Sequence, residues 1–433
     1  MQIAMISEHA SPLAVLGEAD AGGQNVHVAA LARSLAADGH RIDVYTRRDD
    51  PDLPERVPLA PGVDVVHVDA GPAEPLPKDD LLPWMEPFGD DLAARFTDPA
   101  TRPDVLHAHF WMSGLAALRA TREGARTGTP RVPVVQTFHA LGSVKRRYQG
   151  AADTSPAERT GLESTLCREA DLVLATCRDE IRELHRIGAT DDRIRMVPCG
   201  VDLRTFTPGP VPVRPDDDPL RVLSLGRLVT RKGVATVVEA LARLAERGHQ
   251  PVELLVAGGP PVDQLDRDAE VRRLRGIARD AGVAEHVRFL GAVPHDDVPG
   301  LIRSVDVVAC TPWYEPFGIV PLEAGACGRP VVASAVGGML DTVAHDRTGI
   351  LVPPRDPAAV AAALGRLADR RFRRRLGTAA RVRAERRYGW AEIARQTSGA
   401  YTAVAGPPAA RHHATAHPAV AHTSLATAAG GTR

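Results

Sequence analysis

Short apolar runs alternate with stretches of helical periodicity along the first half of the chain. Within residues 24–37, Val28, Leu31 and Leu35 recur at helical spacing, and Gly39 follows where a helix end is expected. Runs typical of buried strands flank this stretch: QIAMI (2–6), RIDVYT (41–46), VDVVHV (63–68), DVLHAHF (104–110), VPVVQTF (132–138) and ADLVLAT (170–176). Because strands that alternate with helices form βαβ units, this half predicts a parallel sheet.

A second series of the same kind begins near residue 220. The stretch VATVVEALARLAERG (234–248) has helical periodicity, and GWAEIARQTSGAYTAV (389–404) predicts a final helix. The strand-like runs of this series are RVLSL (221–225), VELLVAG (252–258), HVRFLG (286–291), VDVVAC (305–310) and RPVVAS (329–334). The two series predict an α/β fold of two doubly wound, Rossmann-like domains with a ligand site in the central cleft between them.

The chain, at 433 residues, is too long for one hydrophobic core, so two domains are expected. The segment TPGPVPVRPDDDP (207–219) is rich in proline and acidic residues, which predicts a linker between an N-terminal domain at 1–206 and a C-terminal domain at 220–388. We expect the final helix at 389–404 to return to the N-terminal domain. The low-complexity segment 405–433 predicts a disordered tail rather than a metal site formed by its histidines.

The amino-acid composition limits the classes of binding partner and the compartment that are expected for this protein. The 53 lysines and arginines nearly cancel the 54 aspartates and glutamates, which argues against nucleic acid or an anionic membrane as a partner. Five cysteines without a C-x-x-C pair are typical of a reducing compartment. The N-terminus has no basic leader and no apolar run approaches about 18 residues, so we expect a cytoplasmic protein without a membrane span. The oligomeric state stays open, with a homodimer among the alternatives.

Two cations flank a predicted helix start in the second half. The strand RVLSL leads into GRLVTRKG, which contains Arg227 and Lys232. Cations beside a helix N-terminus form a site for a polyanion such as a diphosphate. The alternative is a pair of solvated surface cations, since R-x-x-x-x-K alone is a weak signal.

Two carboxylates stand in the apolar run EPFGIVPLE (315–323), directly after a predicted strand. Glu315 precedes the next helix, and we expect Glu323 in its first turn, so that each contacts a different part of one ligand. A carboxylate can accept hydrogen bonds from vicinal hydroxyls, as on a ribose or hexose ring. The amides of three residues at the helix start are expected to face a phosphate: Gly318, Ile319 and Val320. The alternative is a loop acid followed by a helix-capping acid.

The first half supplies a complementary set of residues. The loop at 7–24 is long for a connection between a strand and a helix, and it ends in Gly22 and Gly23, where backbone can approach a phosphate. His109 and His139 end two predicted strands, so both are expected to reach the cleft. A histidine at a strand end is also compatible with a purely structural role.

Several motifs in this order and spacing carry a resemblance that covers nearly all of residues 1–404. They are HASP (9–12), GGQNVHV (22–28), HAHFWMSG (107–114), TFHALGSVK (137–145), VPCGVD (197–202), GRLVTRKG (226–233), EPFGIVPLE (315–323) and VGGMLD (336–341). With them, the chain resembles the retaining GT-B glycosyltransferases of the family 4 type. These enzymes move a hexose from a nucleoside diphosphate sugar, here expected to be a UDP-sugar, to a hydroxyl group.

The resemblance implies that the domain at 1–206 lies on the acceptor side and that the domain at 220–388 binds the nucleotide sugar. It also implies a role for each matching residue. In this family the acid at Glu315 contacts the donor sugar, the acid at Glu323 contacts the ribose, and Arg227 and Lys232 hold the diphosphate. The implied donor-binding residues are Gly22, Gly23, Arg227, Lys232, Glu315, Phe317, Gly318, Ile319, Val320 and Glu323. The residues implied at the reacting centre are His139, Arg227, Lys232 and Glu315.

The N-terminal motifs are most similar to the inositol-phosphate N-acetylglucosaminyltransferases, and GGQ is also similar to sucrose-phosphate synthases. The implied acceptor-binding residues are His9, Asn25, Lys78, Phe110 and Arg159. Lys78 and Arg159 match two phosphate-binding positions, but Phe110 replaces a tyrosine and Ala140 a threonine. Each change removes a hydroxyl donor, and a hydrogen bond to a charged group is worth about 1.5–3 kcal/mol. A small phosphorylated acceptor such as inositol phosphate and a different acceptor are therefore equal alternatives.

The resemblance also implies retention of anomeric configuration. Retention by a covalent route needs a second carboxylate as nucleophile, for which Glu8 and Asp20 stay as alternatives. We favour front-face attack, in which the departing phosphate oxygen takes the acceptor proton. We expect no cofactor and no metal, because Arg227 and Lys232 supply positive charge. The D-x-D matches fall in turn-like or linker segments: Asp50/Asp52, Asp216/Asp218 and Asp266/Asp268.

Two other functions compete with glycosyl transfer. A non-hydrolysing sugar-nucleotide epimerase shares the two-domain fold, but the long GGQ loop and the acids of EPFGIVPLE argue against it. A non-catalytic nucleotide-binding protein is disfavoured because the residues expected at the reacting centre are all present. A third alternative, a dinucleotide-dependent dehydrogenase, has still less support, since no G-x-G-x-x-G follows a predicted strand.

Overall fold

The computed structural model describes residues 1–14, 23–209, 218–246 and 251–406. Several positions discussed above lie outside these ranges: Asp20, Gly22, residues 210–217 of the predicted linker, among them Asp216, and residues 407–433 of the predicted tail. Within the described ranges, the chain folds into two open sheets with apolar clusters on both faces of each. The predicted α/β class with two doubly wound sheets is confirmed.

The first sheet contains eight strands among the described residues: β1 (Gln2–Ile6), β2 (Arg41–Arg47), β3 (Arg56–Ala60), β4 (Val63–Val68), β5 (Val105–His109), β6 (Val134–Thr137), β7 (Leu172–Ala175) and β8 (Ile194–Met196). They pair in the order β3-β4-β2-β1-β5-β6-β7-β8. β3 runs antiparallel to β4, whereas the other neighbours are parallel. The strand order changes direction at β1, and ligands of open α/β sheets bind at such switch points.

The second sheet contains six strands in the described part of the chain: β9 (Leu220–Leu225), β10 (Val252–Ala257), β11 (Val287–Gly291), β12 (Val307–Cys310), β13 (Val331–Ser334) and β14 (Gly349–Val352). All neighbours are parallel, in the order β11-β10-β9-β12-β13-β14. Its switch point lies between β9 and β12, so the loops that follow these two strands face the same edge.

The helices that cover the sheets, as far as the chain is described, are α1 (Gly23–Ala37), α2 (Met85–Arg95), α3 (Trp111–Arg126), α4 (Gly142–Gln149), α5 (Arg159–Glu169), α6 (Arg178–Arg186), α7 (Val234–Glu246), α8 (Ala269–Asp280), α9 (Val298–Ser304), α10 (Ile319–Ala326), α11 (Met339–Thr342), α12 (Pro357–Leu367), α13 (Arg370–Arg387) and α14 (Trp390–Ala405). Among these helices, none is long and apolar enough to span a membrane.

The last helix, α14, packs against the first sheet rather than the second. Its buried residues Ile393 and Tyr401 join the core formed by Ile3 and Leu35. The Tyr401 hydroxyl lies 2.7 Å from Nδ1 of His107, a buried residue of β5. The last helix therefore completes the hydrophobic core of the N-terminal half.

The pattern of apolar runs missed the strands β3, β8 and β14. β3 contains Pro58 and lies at the sheet edge, where a missing backbone N–H is tolerated. β8 has three residues and β14 has four, too few for a periodicity to be detected. All three lie at or near the sheet edges, so their omission leaves the centre of each predicted sheet intact.

Candidate active site

A salt bridge joins the two motifs that the sequence assigned to a donor. Lys232 follows β9 and Glu315 follows β12, and their Nζ and Oε2 atoms lie 2.5 Å apart. Burial alone would raise the pKa of Glu315, but the charges of Lys232 and Arg231 outweigh it and hold that pKa below its ordinary value. Glu315 is therefore an ionised carboxylate surrounded by cations.

Arg231 belongs to this cluster, although the sequence argument passed over it. Burial lowers its pKa, the charge of Arg227 lowers it further, and Glu315 opposes both effects. Its carbonyl oxygen accepts a hydrogen bond of 2.9 Å from the amide of Trp313, so the cation loop is fixed to the segment after β12. Lys232 and Arg231 thus act on Glu315, and Arg227 acts on Arg231, so three cations gather near this carboxylate in an arrangement suited to a polyanion.

The loop that carries Glu315 is fixed by glycines at close range. Gly318 caps α10 with φ = 74°, a left-handed conformation that residues with a Cβ rarely adopt. A Cβ on Gly337 would lie 2.1 Å from the carbonyl oxygen of Glu315, and the amide of Gly338 donates to that oxygen at 2.8 Å. The VGGMLD motif therefore packs directly against the EPFG loop. No side chain fits at Gly337, where the two segments meet.

Glu323 lies deeper in α10 than the sequence suggested. The prediction that it lies in the first turn is wrong, because the helix begins at Ile319 and Glu323 is its fifth residue. Its side chain is buried, and burial raises its pKa to about 7. Near neutral pH this group is divided between acid and carboxylate.

The N-terminal ends of α1 and α10 approach each other across the cleft. A Cβ on Gly23, the first residue of α1, would lie 3.4 Å from Cδ1 of Ile319, the first residue of α10. The ring of His139 meets the ring of Phe317 edge to face at 5.3 Å. The structure thus brings Gly23, Phe317, Ile319 and His139 together, and two helix N-termini favour negative charge at this point.

Other buried, neutral histidines lie close to His139. Nδ1 of His109 lies 2.9 Å from Nε2 of His139, and the ring of His27 lies 5.1 Å from the ring of His139. Burial lowers the pKa of His27 to about 4 and that of His107 to about 3, and it holds the pKa values of His109 and His139 well below the ordinary range. His107 and His109 alternate on β5 and so share one face, a signal that the sequence contained.

Two residues of this region have a strained backbone. Phe110 has φ = 85° and directly follows β5, and His139 has φ = 60° and lies two residues after the end of β6. Non-glycine residues with positive φ are rare, and they persist where the surrounding structure holds them. The strain lies at the two positions where the sequence predicted ligand contacts.

Three of the predicted acceptor-binding residues gather on the ring of Phe110. The ring of His9 lies 4.9 Å away edge to face, Nζ of Lys78 lies 5.7 Å from the ring centre, and Cζ of Arg159 lies 5.0 Å from it. We call these four side chains the Phe110 group. Asn25 is not among its contacts, since its amide donates to the carbonyl oxygen of Ser11 at 2.9 Å.

Arg159 is held more tightly than a surface arginine. Only 2% of it is exposed, and Nε donates to Oε1 of Glu163 at 2.8 Å. Its two terminal nitrogens donate to the Ser155 hydroxyl at 3.2 Å and to the carbonyl oxygen of Ala140 at 2.6 Å. Within the Phe110 group, Lys78 is therefore the more accessible cation.

The two halves also meet beyond the cluster. The backbone N–H of Arg178 donates to Oδ2 of Asp341 at 2.8 Å, and its Nε donates to Oδ1 at 2.5 Å. The rings of Tyr148 and Tyr314 stack at 5.3 Å. These contacts join α4 and α6 of the first half to the loops that carry EPFG and VGGMLD.

The described residues contain no group of three or more His, Cys, Asp or Glu side chains that could hold a metal ion. Three of the described carboxylates in the D-x-D motifs have structural partners. Asp50 accepts from the amide of Asp52, Asp266 pairs with Arg275, and Asp268 caps α8. Activity without a metal remains a prediction.

Comparison with known proteins gives matches over both halves. Residues 21–205 match the Glycosyltransferase Family 4 domain, and residues 211–383 match the domain described as Glycosyl transferases group 1. The D-inositol 3-phosphate glycosyltransferase of Xylanimonas cellulosilytica is 39% identical over 410 residues, which cover 91% of this chain and 94% of that protein. The enzyme of the same name from Acidothermus cellulolyticus is 38% identical over 420 residues, covering 92% and 90%.

Among solved structures, a sucrose-phosphate synthase from Thermosynechococcus elongatus superposes with a TM-score of 0.79 at 33% identity. The match covers 93% of this chain and 98% of that chain. The predicted GT-B fold and the predicted resemblance are both confirmed.

Proposed function

The chain belongs to the glycosyltransferase family of these relatives, and from that premise we propose that it is a retaining hexosyltransferase that uses a UDP-sugar. Its acceptor in this proposal is a small phosphorylated polyol such as inositol phosphate. The observation that carries the proposal is the cluster in which Lys232 and Arg231 act on Glu315 and Arg227 acts on Arg231. It lies across the cleft from the Phe110 group, which holds a second pair of cations.

In the proposed reaction, the bond from the sugar anomeric carbon to the phosphate oxygen breaks, and the acceptor oxygen bonds to that carbon on the same face. The acceptor proton leaves on the departing phosphate oxygen. Arg227, Lys232 and the amides at the start of α10 stabilise the growing negative charge, as preorganised donors do for an oxyanion. Water hydrolyses the donor less readily when the halves are closed over the site.

A covalent route through Glu8 fits the structure poorly. One carboxylate oxygen lies 2.7 Å from Nδ1 of His9, and the other accepts a hydrogen bond from the hydroxyl of Ser113. The side chain is fully buried, so neither oxygen is available for attack on a sugar. These hydrogen bonds of Glu8 support front-face attack over a covalent route through Glu8, whereas Asp20, the other alternative, lies outside the described residues.

Glu323 is assigned to the ribose of the donor, which predicts a pH dependence of nucleotide binding. Only the carboxylate accepts hydrogen bonds from both hydroxyls, and the pKa of Glu323 is about 7. The carboxylate fraction falls as pH drops through 7, so a UDP-sugar should bind about tenfold more weakly at pH 6 than at pH 8. Calorimetric titration with an intact UDP-sugar measures this ratio, because it lacks the terminal phosphate of UDP that itself titrates near neutral pH. In Glu323→Gln the ratio should fall close to one, and an unchanged pH profile in that variant would refute the assignment.

Metal removal should leave turnover unchanged, because arginine and lysine side chains supply the charge that a cation would bring. The measurement is the initial rate after treatment with EDTA and dialysis, compared with the rate after Mg²⁺ or Mn²⁺ is added back. A rate that falls with EDTA and recovers with the cation contradicts the metal-independent mechanism.

The proposed function is tested by a donor and acceptor screen. UDP-GlcNAc, UDP-glucose, ADP-glucose and GDP-mannose are titrated calorimetrically, with and without inositol 1-phosphate, and turnover is followed by product mass. We expect a UDP-sugar to bind and inositol 1-phosphate to be glycosylated. The 33% identity to a sucrose-phosphate synthase favours fructose 6-phosphate as a second acceptor to include. Binding of an ADP- or GDP-sugar alone would overturn the donor assignment.

A further inference from the structure

Glu8 and His9 form a hydrogen-bonded pair directly after β1. Oε1 of Glu8 lies 2.7 Å from Nδ1 of His9, and the Ser113 hydroxyl donates to Oε2 of Glu8. The backbone N–H of Glu8 in turn donates to the Ser113 oxygen at 3.1 Å. Ser113 lies near the start of α3, so the pair is fixed between β1 and α3.

The hydrogen bond within the pair determines which nitrogen of the His9 ring donates and which one can accept. An ionised carboxylate only accepts hydrogen bonds, and both oxygens of Glu8 are occupied by donors. Nδ1 of His9 therefore donates to Glu8, and in the neutral ring this leaves Nε2 with a lone pair. Such a ring can accept a hydrogen bond from a hydroxyl group.

His9 lies beside the position proposed for the acceptor. Its ring meets Phe110 edge to face at 4.9 Å, and Lys78 and Arg159 stand over the same Phe110 ring. His9 also lies near His139, since the charges of His27, His107 and His9 add to the burial that depresses the pKa of His139. His9 is therefore close both to the cations of the Phe110 group and to the residue beside the predicted reacting centre.

We propose that Glu8 is a positioning residue: it holds His9 in the tautomer whose Nε2 accepts a hydrogen bond from a hydroxyl of the polyol acceptor. This inference rests on the proposed function, because it assumes a hydroxyl-bearing acceptor beside the Phe110 group. The acceptor proton still leaves on the phosphate oxygen, while His9 orients the ring that carries the attacking hydroxyl. Acceptors with adjacent hydroxyls are the class that this arrangement recognises.

A double-mutant cycle with Glu8→Gln, His9→Phe and the double variant tests the pair. We expect each single variant to raise the acceptor KM about three- to tenfold, as for one lost hydrogen bond, with kcat and the Kd of UDP within about twofold. The double variant should resemble His9→Phe, because Glu8 acts only through His9. Effects on KM that multiply would mean that Glu8 acts independently, and would overturn the inference.

His9 is partly exposed, so His9→Phe tests the pair even where Glu8→Gln fails to fold. An unchanged acceptor KM in His9→Phe overturns the inference by itself. Arg126→Ala, at the far end of α3 and mostly exposed, is the matched control and should leave KM unchanged. If the parent enzyme turns over neither inositol 1-phosphate nor fructose 6-phosphate, the proposed acceptor class fails and the inference fails with it. Turnover by the parent with unaffected variants overturns the inference alone.

Discussion

Replacing Lys232 with alanine should lower kcat by about two to four orders of magnitude, because it removes a cation from the departing diphosphate. The 2.5 Å contact with Glu315 adds to the effect, since the variant leaves a mostly buried carboxylate without its nearest cation. The measurement is kcat with saturating donor and acceptor. The Kd of UDP should also rise, but by less than kcat falls, if the lysine acts mainly on the transition state.

Arg273→Ala is the matched control for that variant. Arg273 lies in the second half on α8, and its guanidinium pairs with Glu270 of the same helix at 2.6 Å. Its loss should leave kcat near that of the parent. Turnover of Lys232→Ala near the parent's value, with an intact melting transition, would remove Lys232 from the mechanism.

Replacing Lys78 with alanine should lower kcat/KM about 10- to 150-fold for a phosphorylated acceptor, which corresponds to the loss of one hydrogen bond to a charged group. Lys78 is the more accessible cation of the Phe110 group, because Arg159 is committed to Glu163 and Ala140. The comparison is between inositol 1-phosphate and unphosphorylated inositol. The loss should be confined to the phosphorylated compound.

Phe110→Tyr is the complementary variant, since it restores a hydroxyl donor close to Lys78 and Arg159. We expect it to lower the KM for inositol 1-phosphate and to leave that for inositol unchanged. Equal losses for both acceptors in Lys78→Ala would mean that Lys78 does not contact a phosphate. The acceptor would then be recognised by its hydroxyls alone.

Strand periodicity predicted the centre of the molecule well because buried parallel strands are continuous apolar runs. Once those strands were placed, their carboxyl ends identified His139, Arg227 and Glu315 as neighbours of the cleft. The sequence also placed the start of α10 at 318–320, where the structure has it. Glu323 was nevertheless assigned to the first turn, although it is the fifth residue of the helix and a turn takes about 3.6 residues.

The residues that sequence reasoning passed over have partners far away along the chain. Ser113 bonds to Glu8 across 105 positions, and no local pattern links the two. Arg231 is adjacent to Lys232, but its burial beside Glu315 appears only once β9 and β12 are neighbours. The gathering of Lys78 and Arg159 on Phe110 joins a short turn, a strand end and a helix, and depends wholly on tertiary packing.

The return of α14 to the first sheet limits how this enzyme can be recombined with its relatives. A chimaera cut once between the halves would combine the first sheet of one parent with the last helix of another. Tyr401 and Ser398 would then come from one parent, and their partners His107 and His40 from the other. The Ser398 hydroxyl and Nε2 of His40 lie 2.9 Å apart in this chain. Exchange of the C-terminal half between relatives is therefore best made with two crossovers, with residues 390–405 taken from the parent that supplies the N-terminal half.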